Sequence, residues 1–165
     1  MEIIQNAPKS DQATLCRVSK LFHALVWPIL NRTVTLRVDY RDDHIEAFCH
    51  AMVRSPERAD SVRSLTFENG FEDCPTDSVI ESLQLMRRLE YLFINDYSPF
   101  RVVSRFANLT FPNLLSCILP PANPDCWNPH LVQFFSRHST ITHLRLWGST
   151  EGADTAEGSL LPNLR

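Results

Sequence analysis

The sequence predicts an α/β fold: a short right-handed solenoid in which parallel strands alternate with helices on the convex side, preceded by a small helical module. Three observations carry that expectation. A six-residue apolar signature recurs at nearly constant spacing, helix-start signals fall between its copies, and residues 1–31 carry helical but no strand periodicity.

Composition sets the frame. The chain has 165 residues, 44% of them hydrophobic, and Lys+Arg 16 against Asp+Glu 19 gives a formal net charge of −3. One ordinary domain or a short repeat array is expected, and the acidic balance removes the electrostatic case for nucleic acid as a partner. Ala24 to Leu30 is the longest apolar run; it holds Pro28 and is far short of the roughly 20 residues a membrane helix needs, so no membrane partner is expected. Residues 1–20 carry Glu2, Lys9, Asp11, Arg17 and Lys20 but no apolar core for a secretory signal. Five cysteines without a C-x-x-C pair fit reduced thiols in the cytoplasm or nucleus.

The first element is helical. Leu15, Val18 and Phe22, then Leu25, Val26 and Ile29, recur at helical spacing, with Ser10 or Asp11 as the expected cap. Pro8 to Phe22 resembles the second half of an F-box, in which proline and Ser-Asp open a helix and a valine, a basic residue and an aromatic follow. Asp11, Val18, Lys20 and Phe22 stand at those positions. Trp27 to Leu36 is similar to the junction by which many fungal F-box proteins enter a repeat domain. The resemblance implies a domain boundary near residue 31 and an adaptor of the Skp type as partner. It implies that Ile3, Ile4, Pro8, Leu15, Val18, Lys20 and Phe22 make the contact. An F-box normally opens with a Leu-Pro pair and a full first helix. Here only Met1 to Ala7 precede Pro8, which implies weakened adaptor binding, since each apolar anchor of such an interface is worth roughly 2 kcal/mol, or about 30-fold in affinity. Residues 3–30 also suit a cap closing the first repeat.

The strands come next. Val62-x-x-Leu65-x-Phe67, Leu89-x-x-Leu92-x-Ile94, Leu114-x-x-Cys117-x-Leu119 and Ile141-x-x-Leu144-x-Leu146 share one form, with first residues 27, 25 and 27 positions apart. Thr33-x-x-Leu36-x-Val38 is a weaker copy 29 residues before Val62. Helix starts fall between them. Asp43 with Glu46 precedes Ile45, Phe48 and Met52; Thr76 or Asp77 precedes Val79, Leu83 and Met86; Ser98-Pro99 precedes Val102, Val103 and Phe106; Asn128-Pro129 precedes Leu131, Phe134 and Phe135. A unit this short cannot bury its own apolar face, so units should stack. The alternation resembles the leucine-rich repeat over residues 32–165. The Asn or Cys that closes that pattern is replaced by Gly70, Tyr97, Ala122 and Ser149. Gly148 to Ser159 reads as a mobile acidic loop, and Leu161-Pro162-Asn163-Leu164 repeats the wording of Phe111-Pro112-Asn113-Leu114. An array ending there without a cap is expected to self-associate weakly or to be a truncated product.

If the signature residues point inward, their neighbours form the concave face: Thr35, Arg37, Asp39; Ser64, Thr66, Glu68; Tyr91, Phe93, Asn95; Ser116, Ile118, Pro120; His143, Arg145, Trp147. The expected central column is Arg37, Thr66, Phe93, Ile118 and Arg145. Tyr, Trp and Arg dominate hot spots, so Arg37, Tyr91, Phe93, Ile118, His143, Arg145 and Trp147 are the candidate residues for binding a protein target.

Catalysis is not expected, since phosphate-loop, dinucleotide, zinc-protease and serine-hydrolase signatures are absent. Cys126-x-x-x-His130, with His138 and His143, is the nearest approach to metal spacing; scattered surface histidines and reduced cysteines describe it better, so neither metal nor cofactor is expected. Arg87-Arg88 and Arg54 with Arg58 read as solvated helix C-termini, and Asp42-Asp43 as a helix start. The functional expectation is a non-catalytic specificity subunit of the kind found in Skp–cullin–F-box ubiquitin ligases. A stand-alone repeat scaffold is the alternative.

Overall fold

The structure is a computed structural model and describes residues 2–37, 44–68, 76–95, 107–119 and 129–146. Among these residues the chain forms α1 (Glu2–Asn6), α2 (Lys9–Val18), α3 (Lys20–Leu30), β1 (Thr33–Arg37), α4 (His44–Arg54), α5 (Pro56–Ala59), β2 (Ser64–Glu68), α6 (Thr76–Gln84), β3 (Tyr91–Asn95), β4 (Ser116–Leu119), α7 (Pro129–Arg137) and β5 (His143–Leu146). The five strands make one sheet in the order β1-β2-β3-β4-β5, and every neighbouring pair is parallel.

That strand order follows from short units. A parallel strand needs a crossover, crossovers are right-handed in nearly all proteins, and each one here steps to the next neighbour in the same direction. Helices connecting such strands therefore fall on one face. The core agrees: Leu36, Leu65, Phe67, Leu92, Ile94, Cys117 and Leu119 from the strands form one buried cluster with Ile45, Cys49 and Met52 of α4, Val79 and Leu83 of α6, and Leu131, Phe134 and Phe135 of α7.

The four strong signature copies pair as their spacing requires. Leu65 lies opposite Leu92, Leu92 opposite Cys117, and Cys117 opposite Leu144. The first copy is corrected. Val34, not Leu36, stands opposite Leu65, and Leu36 stands opposite Phe67, so this copy is displaced by two residues. The extra length is the additional turn α5, which follows α4 before β2. A slip of two preserves which face each side chain takes, so the division of inward and outward residues survives.

Each unit is locked by the same turn. Val62, Leu89, Leu114 and Ile141 donate their backbone N–H groups at 3.1 Å to the carbonyls of Ala59, Met86, Phe111 and His138, three residues earlier. All four donors and all four turn-opening residues are buried. The ladder then starts identically in each unit. The Arg32 carbonyl accepts from Arg63 and Ser64, that of Arg63 from Glu90 and Tyr91, that of Glu90 from Leu115 and Ser116, and that of Leu115 from Thr142 and His143, all at 2.8–3.0 Å.

The N-terminal module departs from the expected caps. Pro8, not Ser10 or Asp11, precedes the first turn of α2, where its missing N–H costs nothing. The apolar stripe through Leu15, Val18 and Phe22 is broken after Val18, because Ser19 is extended and caps α3, its hydroxyl accepting from the Phe22 N–H at 3.2 Å. The Gln12 side chain is buried and donates to the carbonyls of Ile4 and Ala7 at 2.9 and 3.0 Å, tying α1 to α2. Val26 is fully buried, whereas its neighbour Leu25 is 41% exposed. Arg58 of α5 lies over the Trp27 ring, 4.3 Å from its centroid, and His23 stacks on the same indole. These contacts join the module to the first strand-helix unit.

Candidate functional site: two exposed surfaces and a charged groove

The first surface is on the helical module. Ile3 is 88% exposed, Val18 64%, Leu21 68%, Phe22 38% and Leu25 41%. The resemblance singled out Ile3, Val18 and Phe22, which are exposed, together with Pro8 and Lys20, also exposed, and Ile4 and Leu15, which are half-buried. Leu21 and Leu25 were not among those residues. Their signal was available: they are four apart on α3, about 140° and 100° round the helix from the buried Val26, so the apolar surface of the helix is wider than the face it buries. Burying that face leaves the rest in water, an arrangement that marks interaction surfaces.

The second surface is the sheet face opposite the core. Thr35, Thr66, Phe93, Ile118 and Arg145 form its central row across successive strands. Thr35 takes the place expected for Arg37, which belongs one step further along with Glu68 and Asn95 as a result of the two-residue slip. Arg37 is 69% exposed and its Nε donates to Glu68 Oε2 at 2.6 Å, so its charge is met within the sheet. Phe93 and Ile118 are lateral neighbours and half-buried, as are Tyr91, Ser64, Thr66 and Ser116. His143 and Arg145 on the edge strand are exposed, and Nδ1 of His143 lies 2.8 Å from the Thr142 hydroxyl. Asp39, Pro120 and Trp147 lie outside the described residues, as do the loop 148–159, the helix start at Ser98-Pro99, the repeat-closing positions Gly70, Tyr97, Ala122 and Ser149, and Leu161 to Arg165.

Between the module and the starts of β1, β2 and β3 lies a groove of about 770 Å³ lined by charged residues, among them Lys9, Arg32, Arg63, Arg88, Asp60 and Glu90. Arg88 was expected at a helix C-terminus. Instead α6 ends at Gln84, and Arg88 sits in the turn that leads into β3. Arg54 does close α4, and Arg58 is engaged by Trp27.

The buried titratable groups have structural surroundings. His138, expected at the surface, is buried: its Nδ1 donates to the Phe134 carbonyl at 2.6 Å and its Nε2 accepts from the Phe111 N–H at 2.9 Å, which fixes the neutral tautomer. Burial lowers its pKa, the Phe134 bond opposing and the Arg137 charge assisting. Cys117 is wholly enclosed and its thiol is pushed up to about 12 by burial; burial likewise raises that of Cys49, against a hydrogen bond with Ser82 and with help from the Glu46 charge. Among the described residues no group of three or more His, Cys, Asp or Glu side chains could hold a metal ion, and no helix is long and apolar enough to cross a membrane. No protein-family model matches the chain, and no curated protein matches it.

Proposed function

We propose that this protein is a non-catalytic specificity subunit whose helical module docks an adaptor of the Skp type and whose open sheet face selects a protein for ubiquitin transfer by other subunits. The observation that carries this reading is the set of exposed apolar side chains Ile3, Val18, Leu21, Phe22 and Leu25 on three short helices that lead directly into the sheet. Several of these side chains would be hot-spot candidates in a complex and have no purpose in water.

The sheet belongs to the same reading as a short right-handed solenoid. Helices are about 10 Å across and strands 4.8 Å apart, so stacking one helix per strand on one face bends the sheet and leaves the other face concave. All-parallel sheets normally have both faces covered; among the described residues the core lies on one face, which supports a repeat array whose other face takes a partner. Tyr91, Phe93 and Ile118 supply an apolar centre and His143 and Arg145 a polar edge, which suits a protein ligand.

A stand-alone scaffold is the second reading, favoured by the contact of Arg58 with Trp27, which ties the module to the first unit. Purified Skp-type adaptor separates the two. Capture by the intact chain, lost when Leu21 and Leu25 are changed to Asp while the melting temperature holds, is the expected result; no capture at micromolar concentration leaves the scaffold.

A further inference from the structure

The charged groove is independent of both docking surfaces. Arg32 and Arg63 immediately precede β1 and β2 and are ladder neighbours, the Arg63 N–H donating to the Arg32 carbonyl at 2.9 Å. Arg88 enters the same groove from the turn before β3. The Arg63 side chain is only 13% exposed; its guanidinium donates to the Asp60 carbonyl at 2.6 Å and its Nε lies 3.5 Å from Glu90. Burial, then the Arg88 charge, push its pKa down, with Arg32 adding to them and Glu90 and Asp60 opposing. Like charges are thus gathered around Arg63, with the Glu90 and Asp60 charges opposing them. Neither the Arg32 nor the Arg88 guanidinium has an ion-pair partner among the described residues, and both residues are exposed.

Two positive charges with no ion-pair partner among the described residues, beside a third in a groove of ligand-sized volume, call for a compact anion of charge near −2. A carboxylate leaves one arginine unmet. A phosphate monoester carries about −1.5 to −2 at pH 7 and offers three acceptor oxygens to guanidinium forks. Lys9, whose ammonium donates to the Thr33 carbonyl, adds charge at the same rim, and Glu57 opposes it. We propose that this groove binds a phosphate-bearing ligand through Arg32, Arg63 and Arg88.

Calorimetric titration of the full chain with tripolyphosphate, and in a second arm with a short phosphoserine peptide and its unphosphorylated form, tests the assignment. Because Arg32 and Arg88 are exposed, Arg32→Gln and Arg88→Gln should fold as the parent does, checked by melting. Each should weaken binding about 10-fold, and the double variant at least 30-fold. Glu57→Gln should tighten it, and affinity should fall as salt rises and as the pH drops below about 6, where the phosphate dianion takes up a proton and becomes a monoanion. Tripolyphosphate binding assigns a free phosphate compound, and binding of the phosphopeptide alone assigns a phosphate borne on a protein segment. Either supports the site. Equal affinity of the parent and double variant, or no binding of either probe at millimolar concentration, overturns it.

Discussion

His138 accepts the backbone N–H of Phe111 at 2.9 Å while the two rings lie 5.7 Å apart, so the turn opening one unit is satisfied by the residue that opens the next. His138 occupies the position held by Ala59, Met86 and Phe111 in the preceding units, and it is the only one of the four with a side chain that can pair with a backbone group. Replacing it by Ala leaves the Phe111 N–H and the Phe134 carbonyl unpaired beside a cavity. A loss of about 2–4 kcal/mol is expected in urea unfolding.

The same residue sets an acid-side dependence. Its folded pKa is lowered below the ordinary 6.5, so the folded state favours the neutral ring. The contribution is complete above about pH 6.5 and is lost as the pH falls from there toward the folded value, because the unfolded chain takes up the proton first. Unfolding free energies at pH 7.5 and 5.5 should differ, and His138→Phe should shrink the difference; an unchanged difference assigns the dependence to other groups.

Cys117 makes the opposite, alkaline prediction. A thiol held near 12 in the fold and near 9 when unfolded stabilises the protein below pH 9, and that share is lost as pH rises from 9 to 12. It also resists alkylation, since the thiolate is the reactive form. Timed iodoacetamide labelling read by mass spectrometry should modify half-buried Cys16 before Cys49 and Cys117. Early labelling of Cys117 would mean that β4 opens far below the global unfolding cost.

Inner and outer residues of one strand should differ in energetic weight. Leu92 is 1% exposed, and Leu92→Ala is expected to cost about 3 kcal/mol or more. Phe93 faces the other way and is half-buried, so Phe93→Ala should cost about 1–2 kcal/mol and instead reduce capture of a protein bound on the open face. The exposed Arg37–Glu68 pair is the counter-example: Arg37→Ala should change stability by less than about 1 kcal/mol in the same assay.

How much was legible differs from element to element. The pairing of β2, β3, β4 and β5 could be read directly, because each signature has only one register that buries both apolar residues. β1 could not. Val34, Leu36 and Val38 alternate, so sequence alone offers two registers of equal quality, and the turn α5 that selects between them had no place in a 26-residue period. Pattern reading placed Leu25 with Val26 in one stripe, yet Val26 is fully buried and Leu25 is 41% exposed. His138 looked like a surface histidine because Phe111, whose N–H its ring accepts, becomes a partner only when neighbouring units stack; the Phe134 carbonyl is local, four residues earlier. The arginine groove was hidden for the same reason: Arg32, Arg63 and Arg88 meet only through the ladder.

Adaptor binding by the exposed apolar residues of the helical module is the central claim, and surface plasmon resonance with immobilised Skp-type adaptor measures it most directly. The intact chain should bind, and Leu21→Asp with Leu25→Asp should weaken binding at least 30-fold without moving the melting temperature by more than a degree or two. Equal binding by the parent and the double variant, or a collapse of stability in the variant, would contradict it by showing that these leucines serve the fold instead.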